Sequence, residues 1–275
     1  MNAISVEGQQ VHYRAQGAGP VVILLHCSSS HSGQWAPLID LLSPHFTVLA
    51  PDLHGYGRSD PLPLDGRPYF ERDSAIVTEL AAKYGPRVHI VGHSLGGTVA
   101  LRIAVKHPEI LNSLTVIEPV QFCLIEEAGA ASKAEYHEIS STVFGLVRLR
   151  RARDAARLFV DFWANDGAFD GMDAKTQAYV EQTIDRVCDD WAGCSRHTPG
   201  QICIGDLAAI SQPTMIIRGS ETRVSARDIT EILHKEIVGS GLVELPGLSH
   251  MAAANQPGAI NEVIMEFLNA QTPES

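Results

Sequence analysis

Residues 89–100 of this 275-residue chain read His-Ile-Val-Gly-His-Ser-Leu-Gly-Gly-Thr-Val-Ala. An apolar segment leads to Ser94, which lies between Gly92 and Gly96, and a run with helical character follows. The Gly-x-Ser-x-Gly pattern between a strand and a helix is typical of a nucleophile elbow, a sharp turn that exposes a serine hydroxyl. Such a turn leaves no room for side chains at the two glycines. The N–H groups that open the following helix favour negative charge beside the serine.

Short apolar runs alternate with helical patterns along most of the chain. Runs rich in β-branched residues predict strands at residues 21–25, 46–50, 87–91, 114–117, 213–219 and 242–245. Helical spacing of apolar residues predicts helices at residues 69–84, 95–105, 226–237 and 260–268. Two further short strands are predicted on either side of Gly8. The pattern predicts an α/β fold with a doubly wound, mostly parallel sheet and ligands at the carboxyl ends of its strands.

The alternation stops between residues 120 and 209, where helical patterns replace strands. A helix is predicted at residues 173–187, and another follows an apolar stripe from Leu149 to Trp163. We interpret residues 120–209 as a helical cap, inserted into a core formed by residues 1–119 and 210–275. Arginines crowd the polar side of the second stripe, and we interpret them as a solvated helix face in preference to an anion-binding lid.

Composition narrows the classes of partner. The net charge of −11 argues against nucleic acid and anionic membranes, which leaves a small-molecule substrate. The first residues show neither a basic region nor an apolar core, and no apolar run reaches transmembrane length, so we expect a cytoplasmic protein. No pattern predicts an oligomeric state.

The cysteines offer one candidate metal site, which we disfavour. Cys188, Cys194, His197 and Cys203 lie near one another in the sequence, but they lack the close Cys-x-x-Cys pairing of structural zinc sites. All five cysteines are therefore expected to be reduced thiols, and no metal or other cofactor is predicted.

A serine hydroxyl needs an adjacent base to become a nucleophile at neutral pH. His250 follows the last predicted strand directly, in a loop that faces the same edge of the sheet as Ser94. The order serine, acid, histidine is the one that this architecture uses. His250 is therefore the candidate base.

The chain resembles the α/β-hydrolase superfamily over essentially its whole length. Four pieces carry the resemblance: the loop at His26, Asp-Leu-His-Gly-Tyr-Gly-Arg-Ser at residues 52–59, Gly-His-Ser-Leu-Gly-Gly at 92–97, and Gly-Leu-Ser-His at 247–250. Within the superfamily it looks like the capped, bacterial-type esterases with a serine nucleophile. The resemblance implies a catalytic triad of Ser94, His250 and an acid.

The acid departs from the usual family pattern. Family members commonly have Asp three residues after the glycine that ends the penultimate strand, but this chain has Thr222 there and Glu221 one residue earlier. A minority arrangement has the acid at the end of the strand after the elbow helix, where this chain has Glu118. A carboxylate buried at that point needs a partner, which His250 would supply. We favour Glu118 as the orienting acid and keep Glu221 as the alternative.

The oxyanion loop is the second departure. The resemblance implies that the backbone N–H groups of Leu95 and Ser28 stabilise the tetrahedral intermediate, and losing one such donor can cost on the order of 3 kcal/mol. Cys27 stands where Gly is usual in the family, and it restricts the loop. We expect Cys27, together with His26 and His93, to line the substrate site. Nothing adjacent to Cys27 in the sequence favours a low pKa, so it is not the predicted nucleophile.

These residues predict a serine hydrolase that acts through an acyl-enzyme, and the resemblance implies small carboxylic esters or lactones as its substrates. A serine at the elbow argues against the dehalogenases and epoxide hydrolases of the superfamily, whose nucleophile is Asp. A C–C bond hydrolase, an acyltransferase, perhydrolase side activity and a receptor without turnover stay open, because a fold does not fix a function.

Overall fold

The computed structural model describes residues 1–61, 66–195 and 198–272. The eight strands are β1 (Asn2–Val6), β2 (Gln9–Gln16), β3 (Val21–Leu25), β4 (Thr47–Pro51), β5 (Val88–His93), β6 (Leu111–Ile117), β7 (Thr214–Gly219) and β8 (Gly241–Leu245). The helices are α1 (Ala36–Leu42), α2 (Tyr69–Tyr84), α3 (Leu95–Lys106), α4 (Phe122–Glu127), α5 (Lys133–Arg148), α6 (Ala152–Trp163), α7 (Ala168–Gly171), α8 (Ala174–Gly193), α9 (Ile204–Leu207), α10 (Val224–Glu236), α11 (Ala252–Asn255) and α12 (Gly258–Ala270).

One sheet contains all eight strands, in the order β1-β2-β4-β3-β5-β6-β7-β8. The pairs β1–β2 and β2–β4 are antiparallel, and every other pair is parallel. The predicted fold class, a doubly wound and mostly parallel sheet, is confirmed. Strand β5 lies between β3 and β6, so the carboxyl ends of these three strands meet beside Ser94.

Helices cover both faces of the sheet, and the alternation of side chains along each strand explains the two apolar layers. In β3, Val21, Ile23 and Leu25 belong to one cluster of buried residues. Val22 and Leu24 belong to the other. The first cluster packs against α2, α3 and α10, and the second against α1 and α12.

Residues 120–209, here called the helical insertion, contain α4 to α9 and join β6 to β7. Its buried apolar side chains, among them Trp163 and Val187, belong to the same cluster as the first face of the sheet. The insertion therefore packs on the sheet through a continuous apolar layer. Helix α8 continues six residues beyond the predicted end at residue 187 because Trp191 packs into that layer.

Three arginines at the start of α6 and along it, Arg151, Arg153 and Arg157, pair with acidic or amide groups at the surface. Arg151 contacts Asp154 at 2.7 Å, and Arg157 contacts Asp170 at 2.8 Å. The prediction of a solvated helix face agrees with these contacts. Leu149, expected in the apolar stripe, is instead exposed, because α5 ends just before it and α6 begins only at residue 152.

The turn between β5 and α3 is as crowded as its glycines predict. A Cβ added to Gly92 would lie 2.3 Å from the carbonyl oxygen of Gly96. A Cβ added to Gly96 would lie 2.2 Å from the carbonyl oxygen of Leu25. Since both contacts are with backbone atoms, only glycine lets β3, β5 and α3 approach this closely. In the described part of the chain, no helix is both long and apolar enough to cross a membrane.

We expect Gly96→Ala to lower the free energy of unfolding by about 3 kcal/mol, since the added methyl group collides with rigid backbone. Urea denaturation followed by circular dichroism measures this. Gly145→Ala is the matched control, because nothing lies within 4 Å of its added Cβ in α5, and it should be neutral or stabilising by about 0.5–1 kcal/mol. Equal stability of the two variants would contradict the crowding argument.

Candidate active site

Ser94 occupies the turn between β5 and α3 with φ at +56°, a conformation that a non-glycine residue adopts only where its surroundings impose it. Its N–H donates to the carbonyl of Ile117 in β6 at 2.9 Å. Its own carbonyl accepts from the N–H of Thr98, in the next turn of α3, at 3.1 Å. The turn is thereby held at both ends, and the side chain lies at the carboxyl edge of the sheet.

His250 joins the serine to a carboxylate. Its Nε2 lies 3.0 Å from Ser94 Oγ, and its Nδ1 lies 2.8 Å from Glu118 Oε2. His250 and Glu118 are 2% and 1% exposed, so solvent does not compete for this chain of hydrogen bonds. The structure thus brings together the three residues of the predicted triad.

Glu118 is held by two further donors. The Gly219 N–H donates to Oε1 at 2.8 Å, and the Thr222 hydroxyl donates to Oε2 at 2.5 Å. The backbone of Glu118 has φ at +42°, which turns the chain sharply at the end of β6. With the His250 contact, the buried carboxylate accepts three hydrogen bonds, which offset the cost of removing it from water.

Glu221, the alternative acid, is exposed, and its Oε1 accepts a long hydrogen bond of 3.4 Å from the Ser220 hydroxyl. Thr222 stands where the family usually has its acid, and it supports the Glu118 carboxylate from that position. Its part in the site was not anticipated from the sequence, although its location at the usual acid position was the available signal.

A hydrogen bond to the Cys27 carbonyl fixes the orientation of the peptide between Cys27 and Ser28. Burial lowers the pKa of His26 to about 4, so the ring is neutral. His26 Nδ1–H donates to the Cys27 carbonyl at 2.7 Å, while Nε2 accepts from the Leu53 N–H at 3.0 Å. Because a trans peptide is planar, fixing its carbonyl also fixes the direction of the Ser28 N–H.

The N–H groups of Ser28 and Leu95, the expected oxyanion donors, form no hydrogen bond to other described backbone or side-chain groups. Leu95 opens α3, where the first N–H groups of a helix have no partner within the helix. Both groups are therefore available to a ligand at Ser94.

His26 and His93 are placed differently from the expectation that they line the substrate site. Neither borders the cavity at Ser94, and both rings are fully buried. His93 Nε2 contacts the carbonyl of His250 at 2.9 Å, and its Nδ1 contacts Gln34 Nε2 at 3.0 Å. The expectation followed from nearness in sequence, but the His93 ring is taken up by Gln34 and the His250 carbonyl, and it supports the His250 loop.

A cavity of about 470 Å³ opens onto Ser94 and His250. Apolar side chains from the insertion form much of its wall: Phe159, Val160, Trp163, Ala164, Ala168, Met172 and Val180. Polar groups come from the loop at residues 28–30 and from Asn165, Thr176 and Asn255. Among the described residues that line it, none is Lys or Arg, so the cavity suits a small and largely apolar ligand.

Trp163 of the insertion stacks on the imidazole of His250. The ring centroids lie 4.0 Å apart with planes inclined by 30°. The indole covers one face of the imidazole, and the His93 ring lies 5.1 Å away. The contact therefore fixes the plane of the imidazole ring and shields that face from water.

Cys27 lines the cavity as expected, but its thiol is not activated. Burial raises the pKa of this thiol to about 12, and the thiolate is the reactive form.

Of the disfavoured metal ligands, His197 lies outside the described residues. Cys188, Cys194 and Cys203 are free thiols, and the described residues contain no cluster of three or more side chains able to hold a metal ion.

The elbow, the hydrogen-bonded serine, histidine and carboxylate, and the eight-stranded sheet define a hydrolase-type α/β protein. Residues 22–263 match the model of the alpha/beta hydrolase family. The chain belongs to that family.

Several known proteins are similar to this chain. Human serine hydrolase BPHL is 27% identical over 96% of this chain and 85% of its own length. The enol-lactonase from Burkholderia xenovorans LB400 superposes with a TM-score of 0.75 at 19% identity, covering 98% of this chain and all of the other. The 2-hydroxy-6-oxo-6-phenylhexa-2,4-dienoate hydrolase from Rhodococcus sp. strain RHA1 superposes with a TM-score of 0.76 at 22% identity, covering 97% of both chains. At these identities the two structures establish the shared fold alone.

We expect iodoacetamide at pH 9 to modify Cys203 and to spare Cys27 in the native protein. Cys203 is exposed, although its hydrogen bond to Asp206 raises the pKa of its thiol, whereas the Cys27 thiol is buried. Peptide mapping by mass spectrometry locates the adducts, and Cys203→Ser serves as the control in which the peptide around residue 203 should carry no label. Rapid labelling of Cys27 under native conditions would contradict the assignment of an inert thiol.

Proposed function

We propose that this protein is a serine hydrolase that cleaves small, neutral carboxylic esters or lactones through an acyl-enzyme. The observation that carries the proposal is the continuous hydrogen-bonded series from Ser94 through His250 to Glu118 at the floor of an apolar cavity. The kinship with human serine hydrolase BPHL supports the class of nucleophile.

In the proposed reaction, Ser94 Oγ attacks the substrate carbonyl as His250 Nε2 takes its proton. Glu118 keeps the other imidazole nitrogen protonated and stabilises the imidazolium. The Ser28 and Leu95 N–H groups receive the oxygen that becomes negative. The imidazolium then protonates the leaving alcohol, which breaks the carbon–oxygen bond and leaves an ester of Ser94. Water, activated by His250, attacks that ester and releases the acid.

The described lining of the cavity offers no charged partner to a substrate, which favours a neutral one. The lining residues that can ionise are Cys27, whose thiol stays protonated, and His250. A carboxylate held against Phe159 and Trp163 would lose hydration without gaining a positive partner there. A neutral ester or lactone loses much less hydration on entering.

A C–C bond hydrolase is the second candidate, and one observation favours it. A neighbouring hollow of about 610 Å³ shares Ser29, Ser30 and Thr176 with the cavity. Three cations, Arg14, Arg58 and Lys175, line that hollow beside two carboxylates, Asp52 and Asp173. The cations would offer positive charge to the carboxylate of a long dienoate substrate, such as the one named for the Rhodococcus protein. The same triad also permits acyl transfer when an alcohol or thiol replaces water.

Three measurements separate these candidates. Turnover of p-nitrophenyl acetate and butyrate and of a small lactone tests the proposed hydrolase. Turnover of a 2-hydroxy-6-oxo-dienoate, with none of the esters or lactones, would favour the C–C hydrolase. Labelling of Ser94 by a fluorophosphonate without turnover of any of these would favour a receptor, and absence of labelling would overturn the activated serine. Ser94→Ala is the control for both labelling and turnover.

We expect Glu118→Gln to lower kcat by about 10³-fold to 10⁴-fold, because an amide neither fixes the imidazole tautomer nor stabilises its cation. Glu221→Gln removes the same charge from an exposed side chain and should leave kcat within about twofold. Steady-state kinetics on the best ester measures both. Similar kcat values in Glu118→Gln and the parent would refute Glu118 as the orienting acid.

A further inference from the structure

One face of α8 is polar although it is turned towards the core. Tyr179, Thr183, Arg186 and Asp190 follow one another at spacings of four, three and four residues, which places them on a single side of the helix. Thr183, Arg186 and Asp190 are each less than a tenth exposed. Buried polar side chains in a row require partners, and these partners lie in two loops at the active site.

Three residues of this face, Tyr179, Thr183 and Asp190, each form a hydrogen bond to one residue of the loop at residues 28–30. The Tyr179 hydroxyl donates to the Ser30 carbonyl at 2.8 Å. The hydroxyls of Ser29 and Thr183 lie 2.9 Å apart. The third contact, from the Ser28 hydroxyl to Asp190 Oδ2, is 2.6 Å long and fully buried.

The Asp190 carboxylate is itself firmly held. It is fully buried, it pairs with Arg186 on the same helix, and it accepts a second hydrogen bond on Oδ2 from the Tyr56 hydroxyl at 2.5 Å. Arg186 also pairs with Asp73 at 2.9 Å and donates to the His54 carbonyl at 3.0 Å. Since each side chain of this network is held by another, Asp190 Oδ2, which accepts from Ser28, has little freedom to move.

Ser28 is thus held from two sides. His26 fixes the carbonyl of the 27–28 peptide, and Asp190 fixes the Ser28 side chain, so the N–H between those two points has a defined direction. An additional anchor is needed here because Cys27 occupies a position where glycine would ordinarily shape the loop, and because Ser29 has φ at +52°.

We propose that Asp190 is a positioning residue for the oxyanion donor: through the Ser28 hydroxyl it aims the Ser28 N–H at the reacting oxygen. The inference rests on the proposed function, in which that N–H stabilises the tetrahedral intermediate. Asp190 does not line the cavity and touches no substrate, so its effect passes through Ser28. The helical insertion then contributes to transition-state stabilisation as well as to the shape of the cavity.

The test compares Ser28→Ala, Asp190→Asn and their combination with the parent. Ser28→Ala keeps the backbone N–H and the ion pair but removes the link. We expect each single variant to lower kcat on the best ester by about tenfold, with KM changed less than about twofold, because a misdirected donor weakens binding of the transition state only. The double variant should lose no more than the worse single variant, since both remove one connection.

Affinity for an inhibitor that forms a tetrahedral adduct with Ser94 separates the two roles of Asp190. A residue that only stabilises the fold would not change this affinity selectively. Affinity for an aryl trifluoromethyl ketone, whose adduct with Ser94 bears the oxyanion, should fall by the same factor as kcat/KM, while affinity for the product acid should not change. Asp185→Asn removes one charge from the exposed side of the same helix and is the matched control. Thermal unfolding of every variant shows whether the fold is retained.

Parallel losses of ketone and product-acid affinity, or additive losses in the double variant, would overturn the positioning role. An Asp190→Asn variant that unfolds leaves Ser28→Ala to decide the question, because that change leaves the ion pair in place. Failure of the proposed function is distinguished by the parent itself, which would then turn over none of the esters or lactones, whether or not Ser94 is labelled.

Discussion

The site depends on one buried carboxylate, Glu118. A carboxylate that is 1% exposed is stable as an anion only if hydrogen-bond donors replace its water. Its donors come from three places: the end of β7, the turn that follows it, and the loop after β8. Satisfying this one charge therefore draws together the loops that carry Thr222 and His250, and it turns His250 towards Ser94.

This arrangement explains how a carboxylate that follows β6, in place of one that follows β7, can contact His250. Strands β6 and β7 are adjacent and parallel, so residues at their carboxyl ends lie within one side-chain length of each other. Glu118, which directly follows β6, reaches the imidazole that an aspartate after β7 would otherwise reach. The vacated position then holds Thr222, whose hydroxyl replaces a charge with a donor and avoids two carboxylates in one buried space.

Much of the fold followed from the sequence because its signals are local. The β-branched run at residues 21–25 and the glycines around Ser94 each specify their own element, and α2 has the predicted bounds of 69–84. The residues that sequence reasoning misplaced or missed depend on contacts between distant segments. His26 is close to the site in sequence, yet its ring bonds to Leu53, and Thr222 reaches Glu118 across 104 residues. No periodicity encodes such contacts.

The helical insertion has more than one role at the site. Its helix α6 carries Trp163, which covers one face of the imidazole, and the same helix supplies much of the apolar wall. Its helix α8 presents a polar face to the loop of Ser28. Since both helices join the apolar layer of the sheet, any shift of the insertion would alter the cavity, the contact on His250 and the loop at Ser28 together.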